Sequence, residues 1–429
     1  MRDRGWSERP SSDVVRRHRP DYMIALYMGI LMLVGLVVIY AIGPQRANVL
    51  NNAIGSNYSD SYFFVKQTIS LVLAIIAFGA ISIIPYKFII KHAPKVLIIG
   101  LVACALLFIA SKAGLPIADA TNGASRWFNL GALGSLQPAE IVKFGLLLYL
   151  AVFLGARSKE GKVNNAKATL IPVAIITGLS LLFIVVIQKD LGTGIALSAI
   201  VITMLFMAGM NKKIGIGLAV AVLVVGAIFI FTAPHRVERI VTYLQGDSTS
   251  SATSTADSYH IEHAKIAIGS GGFTGVGIGN SVQATGYLPE VINDSVFAVL
   301  GETFGFIGLI TLMAVFVALL LRMLKVLDHL VDIRLKLLVA GVFGWFGAHV
   351  ILNIAAMLGI VPLTGITLPL ISFGGTSMIF ITAALGLVFQ LSRYTVHASR
   401  LSTSGESTHE DSRSGRRIGR TRYASRRSS

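Results

Sequence analysis

Residues 288–308 read LPEVINDSVFAVLGETFGFIG. From Asp294 to about residue 321 the chain is apolar over more than the roughly 20 residues that a helix needs to cross a hydrocarbon core. The run nevertheless opens on a carboxylate, Asp294, and carries a second, Glu302, eight residues on. At 1.5 Å rise per residue Glu302 lies about 12 Å deeper than Asp294, too far for the two to share a proton. Asp294 reads in two compatible ways: a helix N-terminal charge or N-cap favoured by the macrodipole, or a general base tuned by partial burial. Glu302 is expected to pair with a cation such as Lys143.

The rest of the chain has the same apolar character. Of 429 residues, 54% are hydrophobic and 14% charged, with mean hydropathy +0.72, whereas soluble domains are about a quarter charged. The expectation is one polytopic, all-α membrane domain, with no soluble block large enough to be an independent catalytic unit. The single cysteine, Cys104 in VLIIGLVACALLFIA, excludes an intramolecular disulfide and a cysteine metal cluster. It reads as a small buried hydrophobe.

Ten transmembrane helices are predicted, over 22–43, 64–84, 95–111, 138–155, 168–188, 191–209, 213–233, 294–321, 336–360 and 375–392. No small-residue cleavage site follows the first, so it reads as a retained helix and not a signal peptide. Lys and Arg set the orientation. With the N-terminus inside, the cytoplasmic side takes six before residue 22, three in 86–95, four in 156–168, two in 211–213, four in 322–336 and nine from 393 on, 28 of the 37. The expected topology is N-in/C-in, and the net charge of +16 becomes a topology signal, not one for nucleic acid. The division is a basic cytoplasmic tail (1–21), a membrane domain (22–393) with a large extracytoplasmic loop between helices seven and eight (234–293), and a Ser/Arg-rich basic tail (394–429) expected to be disordered.

The outer face holds the unusual stretches. In NGASRWFNLGALGSLQPAEIVKFGLLLYLA (122–151), Trp127 suits the interfacial belt, and Pro138 suits a helix first turn. Glu140 and Lys143, three apart, share a helix face inside the membrane, as a functional pair or a mutually neutralised structural one. Arg126 and Lys143 together could neutralise a phosphate. In IQKDLGTGIAL (187–197), Gln188, Lys189 and Asp190 form a short turn, either structural or a polar lining for a head group. The piece GDSTSSATSTADS (246–258) is linker by composition, and AIGSGGFTGVGIGNSVQATGYLPE (267–290) offers glycines whose backbone could approach phosphate or sugar. The absence of Gly-Lys-Ser/Thr excludes a P-loop. His260, Glu262 and His263 could hold a metal only with further ligands. Ser372, in LPLISFGGTSM (368–378), lacks a histidine base and reads as a structural hydroxyl.

In order and spacing, NGASRWFNLGALGSLQPAEIVKF, DLGTGIAL, AIGSGGFTGVGIGNS…YLPEVINDSVFAVLGETFGFIG and PLTGITLPLISFGGTSM resemble the motifs of the SEDS family (FtsW, RodA and SpoVE) over about residues 20–393. The wording GNSVQ…YLPE is more similar to the division branch, FtsW, than to the elongation branch. The resemblance implies a ten-helix bacterial inner-membrane protein at the division septum. It implies a peptidoglycan glycosyltransferase that polymerises lipid II with inversion and releases polyprenyl pyrophosphate, in complex with a class B penicillin-binding protein (transpeptidase) and other divisome membrane proteins. It places the catalytic aspartate on Asp294, and Arg126, Trp127, Gln137, Glu140, Lys143, Lys189, Asp190, Glu302 and Ser372 around the substrate. A divalent cation, Mg or Mn, would be carried mainly by the substrate's pyrophosphate, with no dedicated protein cage. Family members usually read TDF with two glutamates following; here Ser295 and Thr303 depart from that pattern. The alternatives are a lipid II flippase, an elongation role, or a scaffold acting through its tails.

Overall fold

The structure, a computed structural model, describes residues 18–121, 124–129, 131, 134–217, 220 and 256–395. Most of the predicted seventh helix, the Ser/Thr-rich part of the large loop and both tails lie outside the described residues. Eight described helices are long and apolar enough to cross a membrane, and the shorter Leu191–Met207 is apolar as well.

In chain order the elements are α1 (Tyr22–Ile54), α2 (Tyr62–Ile83), α3 (Tyr86–Lys91), α4 (Ala93–Lys112), β1 (Ala118–Thr121), β2 (Ala124–Asn129), β3 (Ser135–Leu136), α5 (Pro138–Lys159), α6 (Ile171–Leu181, flanked by π-helical turns Ala166–Leu170 and Leu182–Ile187), α7 (Leu191–Met207), α8 (Ala256–Ser270), α9 (Val296–His329), α10 (Ile333–Met357) and α11 (Gly375–Leu391). Local chemistry sets many of the ends. Asp21 caps α1, Asp190 caps α7 and Asp332 caps α10, each carboxylate accepting a backbone N–H of the first turn. Proline opens α4 and α5, where its missing N–H has no helical partner to lose.

Three elements differ from the sequence expectation. Helix α1 runs eleven residues past 43 through Pro44 to a left-handed Gly55 cap; at roughly 50 Å it is longer than the ~30 Å core it has to cross. A three-stranded antiparallel sheet, β1-β2-β3, breaks the all-α expectation between α4 and α5. Within the large extracytoplasmic loop expected over 234–293 lies α8, which buries His260, Ala264 and Ala267 at helical spacing.

Helices α5, α10 and α11 are the inner ones, while α2 and Ala166–Ile187 turn most of their surface outward. Exposed Leu26, Leu33, Ile69, Ile76, Ile99 and Ile175 are the side chains expected to face lipid. Helices α4 and α5 cross closely because each offers a glycine: a Cβ on Gly100 would lie 2.9 Å from Val142 N, and one on Gly145 2.7 Å from Leu97. At the end of α2, Gln390 of α11 donates its side-chain N–H groups to the carbonyls of Ile81, Ser82 and Ile84.

Candidate functional site

Most of the residues singled out from the sequence fall along one polar path around the contact between α5 and α10. It starts at the turn before α7. Arg126, on β2, donates through Nε to the carbonyl of Gln188 (3.2 Å) and through an NH2 group to that of Lys189 (2.9 Å). Asp190 accepts from Thr193 N (3.0 Å), Thr193 Oγ1 (2.8 Å) and Gln137 Nε2 (3.2 Å). The small sheet thus carries Arg126 to the turn, with half-buried Trp127 beside it on β2. Lys189 is exposed and has φ +53°.

Gln137, Glu140 and Lys143 follow at three-residue spacing, one stripe of α5. Lys143 is fully buried. Its ammonium donates to Glu140 Oε1 at 2.8 Å, lies 3.3 Å from His349 Nε2, and sits 4.8 Å from the centroid of the Trp345 ring. Neutral imidazole accepting from the ammonium satisfies this contact, because imidazolium would set two cations together. Lys143 therefore has no shared grip on a phosphate with Arg126, whose guanidinium is bound to the α7 turn: the expected two-cation clamp is replaced by two separate anchors.

Trp345, His349 and Asn353 lie at four-residue spacing on α10, about 6 Å apart along its axis. Asn353 Nδ2 donates to the carbonyls of Asp294 and Ile366, both at 2.7 Å. The path therefore ends at Asp294, half-buried in the turn immediately before α9. The N-cap position itself falls on Ser295, so the N-cap reading of Asp294 does not hold. The fully buried Ser295 hydroxyl donates to Pro289 O (2.8 Å) and lies 2.5 Å from His260 Nε2. With its one proton given to Pro289, Ser295 must accept from an Nε2–H.

The loop between α10 and α11 closes over this turn. Phe373 N donates to Ile292 O (2.7 Å), and the Ser372 hydroxyl accepts from Leu368 N (2.8 Å), holding the loop's own turn. Among the described residues, the non-glycine residues with positive φ are Lys189, Glu290 and Leu370, one in each of the three turns that meet here. Strained backbone of this kind clusters at functional sites.

Glu302 lies apart from the path. Its buried carboxylate accepts from Ser281 Oγ (2.5 Å), Val282 N (2.9 Å) and Gln283 N (3.3 Å). The expected pairing with Lys143 is not formed, because backbone and hydroxyl donors of the glycine-rich strap saturate this carboxylate. The strap enters a break in α9 at Gly305 (φ +65°), where Phe306 N and Ile307 N donate to Gly272 O and Phe273 O. A Cβ on Gly271 would lie 2.0 Å from Gly301 O, and one on Gly275 2.2 Å from Thr303 O. These two glycines serve contact with α9, not with a phosphate. Thr303 bonds within its own helix, to Val299 O.

His260, Glu262 and His263 gain no further ligands among the described residues. His260 faces Ser295, His263 Nδ1 bonds Gln283 Oε1 (2.8 Å), and no group of three or more His, Cys, Asp or Glu that could hold a metal occurs among the described residues. The sequence reading missed Trp345, His349 and Asn353. The signal was present in GWFGAHVILN (344–353), an ionisable side chain and an amide one turn apart inside an apolar span.

The sequence matches the profile of the cell cycle protein family named for FtsW, RodA and SpoVE, over residues 21–397. It is 28% identical over 389 residues to Stage V sporulation protein E of Bacillus subtilis, covering 89% of this chain and 99% of that one. It is 32% identical over 340 residues to the probable peptidoglycan glycosyltransferase FtsW of Coxiella burnetii, covering 78% and 87%. Among solved structures it is similar to a chain of a peptidoglycan synthase complex that coordinates polymerization and crosslinking, with TM-score 0.67, 25% identity and coverage of 87% and 98%. It also shares the fold of the rod shape determining protein RodA of Thermus thermophilus, with TM-score 0.60, 23% identity and coverage of 88% and 98%. The chain is a multi-pass membrane protein that belongs to the FtsW/RodA/SpoVE, or SEDS, family and is FtsW-like.

Proposed function

We propose that the chain is a peptidoglycan glycosyltransferase that polymerises lipid II at the outer face of the inner membrane, with Asp294 as its general base. The observation that carries this reading is the place of Asp294: half-buried at the mouth of α9, on a turn tied to α10 and to the α10–α11 loop, at the end of the polar path. Asp294 takes the proton of the acceptor's GlcNAc 4-hydroxyl. That oxygen bonds the anomeric carbon of the donor from the face opposite the leaving group, so the configuration inverts. The anomeric C–O bond breaks, and polyprenyl pyrophosphate departs with the electron pair.

Arg126 and exposed Lys189 are the basic side chains of the path's outer end, and in this reading they face the pyrophosphate. Trp127 sits at the membrane interface, and Gln137, Asp190, Glu140 and Lys143 hold the wall behind it. Glu302 and Ser372 support the site through the strap and the loop. A divalent cation, Mg or Mn, would be carried mainly by the substrate's pyrophosphate. Ten spans with N-in/C-in topology, a class B penicillin-binding partner, and division at the septum complete the reading; FtsW-like wording supports division over elongation.

The test is polymerisation of lipid II by the full chain co-purified with its class B penicillin-binding protein, wild type against Asp294→Asn at matched folding. Glycan strands from wild type and none from the variant are expected; equal polymerisation by both removes Asp294 from the chemistry. The buried Glu140–Lys143–His349 cluster favours a second reading, a lipid II flippase with these groups along its track. Lipid II translocation in proteoliposomes, with no polymer formed under any condition, would select it.

A further inference from the structure

Asn353 has no assigned role in the reading above, yet its side chain is fully buried and joins two segments that are distant in sequence. Its Nδ2 stands 2.7 Å from the carbonyl of Asp294 and 2.7 Å from that of Ile366. Both neighbours are acceptors only, which fixes the amide orientation: nitrogen faces the carbonyls, and its two hydrogens suit two acceptors. The amide oxygen meets no donor among the described residues, so the hydrogen bonding of this side chain is spent on those two carbonyls.

The bond falls on the residue whose side chain is the proposed base. The Cα–Cβ bond of Asp294 turns relative to the following peptide plane only by rotation about Cα–C, so holding that plane through its carbonyl, with the flanking residues also held, limits where the carboxylate can point. On the other side, Ser295 is locked by Pro289 and His260, and Ile292 O by Phe373 N. Asn353 supplies the lock at Asp294 itself, and it does so from the inner helix α10, one turn from His349 and the buried Lys143.

We infer that Asn353 is a positioning residue for the glycosyl-transfer step, fixing the Asp294 carboxylate toward the acceptor hydroxyl by holding the Asp294 and Ile366 carbonyls together. The inference rests on the reading of Asp294 as the base. A misplacement of about 1 Å in a reacting group can cost on the order of 100-fold in rate, so loss of this bond should lower kcat while leaving the lipid II contacts that set KM in place.

The experiment measures lipid II polymerisation by the full chain with its class B penicillin-binding protein, comparing wild type, Asn353→Asp, Asn353→Ser and Asp294→Asn. The aspartate is isosteric; ionised it has no donor and sets charge against two carbonyls, and protonated it can serve only one of them, while the serine keeps one donor without charge and guards against failure of the first variant to fold. The expected result is a kcat lowered about 10- to 100-fold in Asn353→Asp and less in Asn353→Ser, with KM for lipid II within twofold, while the stranded carbonyls lower the melting temperature of both variants. Wild-type kcat in a folded Asn353→Asp, or in Asn353→Ser where only that one folds, overturns the inference. So does a parallel fall of kcat, substrate affinity and melting temperature, which marks a strut and nothing more. If Asp294→Asn alone retains full activity, the base assignment fails and this inference with it. An inactive Asp294→Asn beside fully active Asn353 variants removes only the inference.

Discussion

Asp294 and Glu302 stand eight residues apart at the start of one helix, and the fold treats them in opposite ways. Glu302 is buried and surrounded by donors: a serine hydroxyl and two backbone N–H groups of the strap close on its two oxygens. Asp294 stays half-buried, and Asn353 pins its backbone. A carboxylate saturated by its own chain holds structure together. One that keeps surface while its main chain is locked is suited to meet a substrate.

The largest effect expected from this contrast is on activity. Asp294→Asn should reduce polymerisation by roughly 100- to 10,000-fold, the usual range for a general base, with the melting temperature of the solubilised protein unchanged; a rate within threefold of wild type would erase the contrast. Next comes the buried pair. Lys143→Met leaves Glu140 as an unpaired buried charge and should cost about 3–5 kcal/mol of stability. Adding Glu140→Gln should recover part of that loss, and thermal unfolding of the two single variants and the double variant reads the coupling.

Glu302→Ala should behave as the reverse of Asp294→Asn, costing about 1–3 kcal/mol for each donor it strands. The loss should appear as faster proteolysis within 271–287, and Gly275→Ala should give the same cleavage pattern because its Cβ would meet Thr303 O. If Glu302→Ala kept its strap protected and lost only activity, the two carboxylates would be of one kind after all.

The smallest effect is expected at Asp332, the cap of α10. Burial pushes its carboxyl up, but bonds from the Arg334 side chain and backbone outweigh that and hold it below the usual range. A depressed folded pKa gives stability that is present above the unfolded value, near 3.9, and that fades as pH falls through the lower folded value. Asp332→Asn should therefore cost less than about 1 kcal/mol at neutral pH, and the difference between the two proteins should begin to shrink below about pH 4 and vanish once the pH is under the lower folded value. A carboxylate at the helix end that is merely surface-paired thus sets the floor for the comparison.

Much of this was legible in the chain. Apolar runs of about 20 residues mark membrane helices whatever their neighbours, because unpaired backbone in hydrocarbon is too costly; nine of the ten predicted spans coincide with described helices, seven of them within four residues at each end, while α1 runs eleven and α9 eight residues past the predicted end. Asp294 and the Glu140–Lys143 pair stood out because charge is rare in such runs. Missed were α8, hidden in a loop of linker-like composition, and the sheet, whose strands are two to six residues long.

Sequence by itself determined which segments enter lipid and which few polar groups must be explained there, since both follow from local hydrophobicity and local charge. The partners of those groups were decided only by tertiary structure. Glycines that might have cradled a phosphate press against α9, Glu302 meets the strap and not Lys143, and Asn353 reaches Asp294 across 59 positions. Hydrogen bonds at 3 Å depend on how helices stack and how loops cross over them, and no spacing along a single chain specifies that.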